Sequence, residues 1–321
     1  MHSSYPLAFT AASSTDGVLT RDFTLGDIPG VLWSPLAATP TTAPASASTP
    51  APASASTPAP APAPASTPTP TPTPAPTPAP ASAYTTTPTA IPSSAPATVP
   101  SPAPLVLMGH GGGAHKKHRA MTGRAHGLVT GFGFHVAVLD APGHGERPRD
   151  ARDERDVAAL REAQAAGAPE GPVVVPYNAR LAEIAVPEYR ALIDALVQLP
   201  EIDGPVGYVG VGLGTAIGVP LVAAEPRIRA AALGLHWPDA LGDAARRITV
   251  PVEYAVQWDD ERIPREAALA LFDAFGSREK SLHAHAGGHA DFPRSVEADS
   301  AARFLGRHLR AEPGTTAATA A

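Results

Sequence analysis

After Pro104 the chain alternates short apolar runs with helix-like segments, and this alternation constrains its fold more than any other feature. "LVLMGH" (105–110), "FHVAVLD" (134–140), "VGYVGV" (206–211), "IRAAALGLHW" (228–237), "VPVEYAVQW" (250–258) and "SLHAHA" (281–286) have strand length. Between and after them, 115–130, 149–167, 178–199, 213–225, 264–276 and 293–309 read as helices, with a kink expected at Pro187. The helix at 264–276 begins with proline and ends at glycine, as helices prefer. Near the N-terminus, "RDFTL" (21–25) and "GVLWS" (30–34) flank "GDIPG" and read as a hairpin. Strands alternating with helices at this spacing predict an α/β fold: a mostly parallel twisted sheet of about eight strands, flanked by helices on both faces.

About half of the 39 prolines fall between residues 37 and 104. There "ASASTPAP" stands at 45–52 and again at 53–60, followed by Pro-Ala and Thr-Pro dipeptides. Such a segment cannot bury apolar surface and favours polyproline II or disorder. It is expected to be a low-complexity, disordered insertion between the N-terminal strands (1–36) and the main domain (105–310). Residues 311–321 are expected to be a flexible tail. Without the insertion about 240 residues remain, enough for one well-buried core.

The formal net charge of −6 gives no general attraction to nucleic acid or to an anionic membrane. "HKKHR" (115–119) is a local basic run at a helix start. With no cysteine, disulfides, thiolate zinc sites and a cysteine nucleophile are excluded. No basic start followed by an apolar run marks the N-terminus, and no stretch approaches the ~18 apolar residues of a membrane span. A cytoplasmic location and a small-molecule substrate or ligand are the expectations, with no cofactor.

In a doubly wound sheet, ligands bind where strands end at their C-terminal edge. Four motifs lie at such edges. "HGGG" (110–113) offers glycine N–H groups for half of an oxyanion hole, or is a flexible turn. "DAPGHGERP" (140–148) is a pocket wall or a plain loop. "QWDDERIP" (257–264) carries a carboxylate able to orient a histidine, with two aspartates competing. "AGGHADFP" (286–293) presents His289 in a glycine loop, a candidate general base. A fifth stretch, "GYVGVGLGTAIG" (207–218), has the Gly-x-Ser-x-Gly spacing of a nucleophile turn, but Gly212 stands where serine belongs.

In combination and in this order, these motifs resemble an α/β-hydrolase, most closely its dienelactone-hydrolase-like and serine esterase branch. The resemblance covers nearly everything outside 37–104 and the C-terminal tail. It implies the α/β-hydrolase fold, with His289 as base and Asp260 as acid, Asp259 being the weaker candidate. It implies oxyanion donors at the backbone N–H of Leu213 and of Gly111 or Gly112, and a small variable cap over the pocket at about 149–186. Two departures stand out. Dienelactone hydrolases use a cysteine, and the esterase branch a serine; here the nucleophile position is Gly212. Thr215 lies one helical turn further on, away from the tip of the turn.

An elbow holds its central residue in a left-handed conformation that costs a non-glycine residue roughly 1–2 kcal/mol. Glycine adopts it freely. Gly212 therefore preserves the fold while removing the attacking hydroxyl. Three functions follow as expectations: a carboxylic-ester hydrolase with absent or weak activity, a pseudoenzyme binding a small molecule or protein partner, or a non-hydrolytic acid–base enzyme using His289 and Asp260. His283 and His285 share a strand face, and His110, His115 and His118 cluster in sequence. No carboxylate or cysteine completes either set at a recognised spacing, so no metal is expected.

Overall fold

The computed structural model describes residues 5–36 and 102–310, all within one compact unit. The expected disorder of 37–104 therefore falls outside the described residues, apart from 102–104, as does the expected flexibility of 311–321.

The strands are β1 (Leu7–Thr15), β2 (Val18–Leu25), β3 (Ile28–Pro35), β4 (Ala103–Gly109), β5 (His135–Leu139), β6 (Ile202–Gly210), β7 (Ile228–Gly234), β8 (Val252–Gln257) and β9 (Lys280–His285). They form one sheet in the order β1-β2-β3-β5-β4-β6-β7-β8-β9. The β1–β2, β2–β3 and β3–β5 pairs are antiparallel, and every pair from β5–β4 to β8–β9 is parallel. The helices are α1 (Arg119–Phe132), α2 (Ala151–Ala165), α3 (Gly171–Leu196), α4 (Leu213–Ala224), α5 (Gly242–Arg247), α6 (Arg265–Ala274) and α7 (Arg294–Leu309).

Side chains alternate across the central strands and so build two cores. Leu105, Leu107, Tyr208, Leu233 and Tyr254 face one way, where Leu181, Tyr189 and Leu192 of α3 and Ile217 and Leu221 of α4 cover them. Val106, Met108, Val136, Val138 and Val209 face the other way, against Leu128 and Val129 of α1 and Phe304 and Leu305 of α7. Every long crossover therefore buries an apolar stripe.

Four details differ from the sequence reading, one being the short helix α5, which was not expected. β1 was not expected: its run "LAFTAASST" is exposed along nearly its whole length, so it carries no apolar alternation to read. It is an edge strand held by pairing to β2 and by the Arg21 guanidinium 4.5 Å above the Phe9 ring. β4 begins at Ala103, two residues inside the proline-rich segment, because Ala103 can pair with Ile202 of β6. α3 begins at Gly171 and runs through both Pro176 and Pro187.

Candidate active site

The site is built where β4 and β6 end side by side, Gly109 paired with Gly210. α4 starts immediately after β6 and must pass very close to both strand ends. A Cβ on Gly214 would lie 2.4 Å from the Gly109 carbonyl oxygen, and one on Gly210 would lie 2.8 Å from the Gly214 backbone. Glycine at these positions is what lets the helix leave the strand so sharply.

At the tip of that turn Gly212 has φ 59° and ψ −118°, the conformation of an elbow. Its N–H donates to the Gly234 carbonyl at 3.1 Å. A Cβ here would meet no atom within 4 Å, so open space faces the position. Leu213 is the first residue of α4, where a helix has no intrahelical acceptor for its N–H. Thr215 is fully buried. Its hydroxyl lies 2.6 Å from the Gly234 carbonyl oxygen and 2.9 Å from that of Gly210, and it accepts the Gly234 N–H at 2.9 Å. That hydroxyl ties α4 to β6 and β7.

The 110–113 turn sits against the elbow, with the Gly111 Cβ direction 3.8 Å from the Val211 carbonyl. His110 organises it. The Ala141 N–H donates to His110 Nε2 at 3.0 Å, so Nδ1 carries the proton and donates to the Gly111 carbonyl at 2.9 Å. Burial lowers the His110 pKa to about 4, which keeps this tautomer neutral. In a trans peptide the N–H points opposite the carbonyl, so holding the Gly111 carbonyl on His110 also aims the Gly112 N–H.

The next turn is anchored to the 140–146 loop. The Lys116 N–H donates to Asp140 Oδ1 at 2.7 Å, and its Nζ donates to Asp140 Oδ2 at 2.8 Å and Glu146 Oε1 at 2.5 Å. Burial alone raises the Asp140 pKa, but hydrogen bonds from the Glu146 N–H and from Lys116 outweigh it and hold the carboxyl below its ordinary range.

Asp260 and His289, 29 positions apart in sequence, meet at 2.8 Å between Oδ2 and Nδ1. The Asp260 side chain is 2% exposed, and its Oδ1 accepts the N–H groups of Arg262 at 2.9 Å and Ile263 at 3.0 Å. Burial pushes its pKa up, but the bonds from His289, Ile263 and Arg262 more than offset this and leave it below the usual carboxylate range. An ionised Asp260 can only accept, so His289 Nδ1 is the donor, and in the neutral imidazole Nε2 is the nitrogen with the free lone pair. Asp259 points elsewhere, to Arg265 at 3.2 Å and to the Gly287 N–H at 3.3 Å. Glu261, not singled out in the sequence, accepts the His289 backbone N–H at 2.8 Å and so fixes the loop.

Gly212, Gly111, Gly112 and His289 line one cleft of about 880 Å³. Its further lining comes from α1, α7 and Leu235. Leu235 has φ 56°, a strained value for leucine. Arg119, Arg124, Arg294 and Arg303 face this cleft, with Asp299 the only carboxylate among its lining residues. Residues 149–186 form α2 and the first half of α3. They do not line the 880 Å³ cleft; Gly167–Pro169, Gly171, Pro172, Val175 and Pro176 line a separate cavity of about 540 Å³ with Trp237, Glu261 and Arg262. Among the described residues no helix is long and apolar enough to cross a membrane.

No protein-family model matches the chain, and no curated protein matches its sequence. Its structure is similar to that of a cold-adapted esterase from an Arctic intertidal metagenomic library in complex with PEG: 25% identity over 94% of this chain and 100% of that one, TM-score 0.60. It is also similar to acetyl xylan esterase 1 from Thermoanaerobacterium sp. JW/SL YS485, at 14% identity over 94% of this chain and 88% of that one, TM-score 0.56. The nine-stranded, mostly parallel sheet with helices on both faces has the α/β-hydrolase fold seen in these esterases.

Proposed function

We propose that this chain is a hydrolase-family protein of the carboxylic-ester class, close to the dienelactone-hydrolase-like branch, whose covalent step is missing because Gly212 occupies the nucleophile position. The observation that carries the reading is that His289, hydrogen-bonded to Asp260, lines one cleft with an elbow-shaped Gly212. In this reading Asp260 orients His289, and His289 Nε2 takes a proton from a water that attacks the ester carbonyl. The N–H groups of Leu213 and of Gly111 or Gly112 receive the oxyanion, and His289 returns the proton to the leaving alkoxide. Hydrolysis by this route is slow. Removing the serine of a comparable triad costs about 10⁶-fold in turnover and leaves roughly 10³–10⁴-fold over water.

The test is an esterase panel on the wild type, Gly212→Ser, and Gly212→Ser combined with His289→Ala. The open space at the Gly212 Cβ direction supports a serine there at a strain cost of roughly 1–2 kcal/mol. Gly212→Ser is expected to gain on the order of 10²-fold or more on small activated esters, and the double variant to lose that gain. Arginines on the cleft wall make esters with a second, negatively charged group the first to test. A folded Gly212→Ser variant that stays at the uncatalysed rate rejects the assignment of the elbow. The cleft volume next to a residue without a side chain favours a second reading, a pseudoenzyme that holds a small molecule. Saturable binding of such a ligand by the wild type, with no turnover, supports that reading.

A further inference from the structure

His283 and His285 lie two residues apart on β9 and share a face, as their spacing implies. The tertiary structure adds two carboxylates that no sequence spacing shows. Glu253 comes from the adjacent β8, where the paired Ala255↔His283 rung leaves only a methyl group opposite the imidazole. Glu297 comes from the first turn of α7. His283 Nδ1 is 3.4 Å from Glu297 Oε1, and its Nε2 is 3.6 Å from Glu253 Oε2. His285 Nε2 is 2.5 Å from the same Glu297 oxygen. One donor atom each from Glu253, His283 and Glu297 falls within 4.8 Å of the others.

Ion pairing alone does not satisfy this cluster. Glu253 is 4% exposed and Glu297 is 6% exposed. Ser300 Oγ donates to Glu253 Oε2 at 3.2 Å, but Glu253 Oε1 is buried with no hydrogen-bond partner. Burial pushes the Glu253 carboxyl up, and the neighbouring Glu297 charge adds to this against the opposing pull of His283. The other charged groups acting on the cluster are Arg124 of α1, on Glu297, and Arg307 of α7, on Glu253. A buried carboxylate oxygen with nothing to accept is the kind of group that a cation completes.

We propose that Glu253, His283 and Glu297 form a divalent-cation site, with water completing the coordination and His285 supporting Glu297 through its hydrogen bond. The mixed oxygen and imidazole set suits zinc or manganese rather than calcium or magnesium, which prefer oxygen alone. A tetrahedral ion with bonds of about 2.0–2.1 Å holds its ligand atoms roughly 3.3 Å apart. Only one His283 nitrogen can face the ion, so only one of the two separations, 3.4 Å to Glu297 or 3.6 Å to Glu253, matches that spacing directly; taken as a set, one donor atom from each of the three residues lies within 4.8 Å of the others. The position gives the ion a structural task. His283 and His285 precede the loop that carries His289, and Glu297 follows it, so one ion ties both flanks of that loop to each other and to β8.

The test uses the full chain, stripped with chelator and then titrated with Zn²⁺ or Mn²⁺ near neutral pH. Bound metal is measured by mass spectrometry after dialysis, and Tm by calorimetry. The expected result is one tightly held ion per chain and a Tm raised by roughly 5–10 °C at about a hundredfold excess over Kd. Glu253→Gln keeps the side-chain volume and removes a ligand charge; it and His283→Ala are expected to fold and to lose both signals. A wild type that retains no stoichiometric metal and shows no Tm shift overturns the site, as does equal retention by folded Glu253→Gln. The cluster is then a set of histidine–glutamate ion pairs only. Neither readout depends on esterase activity, so this result is independent of the Gly212→Ser experiment.

Discussion

The identity of a residue and its chemical availability separate sharply at Thr215. Sequence places a hydroxyl three residues past Gly212, and structure shows it fully buried and engaged with the backbones of Gly210 and Gly234. Thr215→Val is therefore expected to cost about 1–3 kcal/mol of stability by stranding buried polar groups of the backbone. Denaturant unfolding measures this. If the variant is as stable as the wild type, the hydroxyl does not staple α4 to the sheet. The two aspartates of "WDDE" divide in the same way. Adjacent residues with equal chemistry, they end up facing Arg265 and His289 respectively, because only Asp260 is turned inward and capped by the Arg262 and Ile263 N–H groups.

The decisive element is the β6–turn–α4 unit. Its glycines perform different tasks: Gly212 takes the left-handed tip, while Gly210 and Gly214 allow contact between backbones. Gly212→Ser and Gly214→Ala, both additions of a small side chain, should therefore differ in outcome. At Gly214 the new Cβ meets the Gly109 carbonyl at 2.4 Å, and β4, β6 or α4 must shift. A loss on the order of 2–3 kcal/mol is expected by chemical denaturation, against 1–2 kcal/mol for Gly212→Ser. Equal stabilities for the two variants would show that α4 does not approach β4 this closely. The unit was legible in the sequence because glycine spacing is local. β1 was not, because an exposed edge strand has no buried face to imprint a pattern. α3 extends seven residues further towards the N-terminus than its apolar periodicity suggested, because tertiary packing carries the helix through Pro176.

Across the molecule, burial lowers the pKa of three histidines at the C-terminal edge of the sheet, His110, His144 and His236, and two of them, His110 and His236, are pushed down furthest. His110 follows β4 and His236 follows β7. His236 Nε2 is 3.2 Å from Asn178 Nδ2, and its Nδ1 is 3.0 Å from the Trp237 carbonyl, the same donor–acceptor arrangement as His110. Burial lowers both pKa values from 6.5 to about 4. Above pH 6.5 both states are neutral and nothing is lost. As pH falls from 6.5 towards 4, the unfolded chain takes up protons that the folded chain refuses, so stability declines. The decline is about 3 kcal/mol for each histidine. Urea denaturation at several pH values across this window measures it. His236→Gln is expected to flatten the slope by about half of the two-histidine contribution, and an unchanged slope refutes the buried neutral imidazole.

Apart from β1 and α5, the alternation of strands and helices was determined by sequence alone, as were the glycine-rich turn with Gly212 at its tip and the residue types of the His289–Asp260 pair. They depend on periodicity, glycine conformation and chemical identity, which act over a few neighbouring residues. Three matters were decided only in the folded chain: the choice of Asp260 over Asp259, the tautomer by which His110 aims the Gly112 N–H, and the meeting of Glu253, His283, His285 and Glu297. Each depends on groups from separate elements, brought together by strand order and helix crossing. A linear pattern records which residues are available, and the burial and direction that make them partners arise only when the sheet and its helices pack.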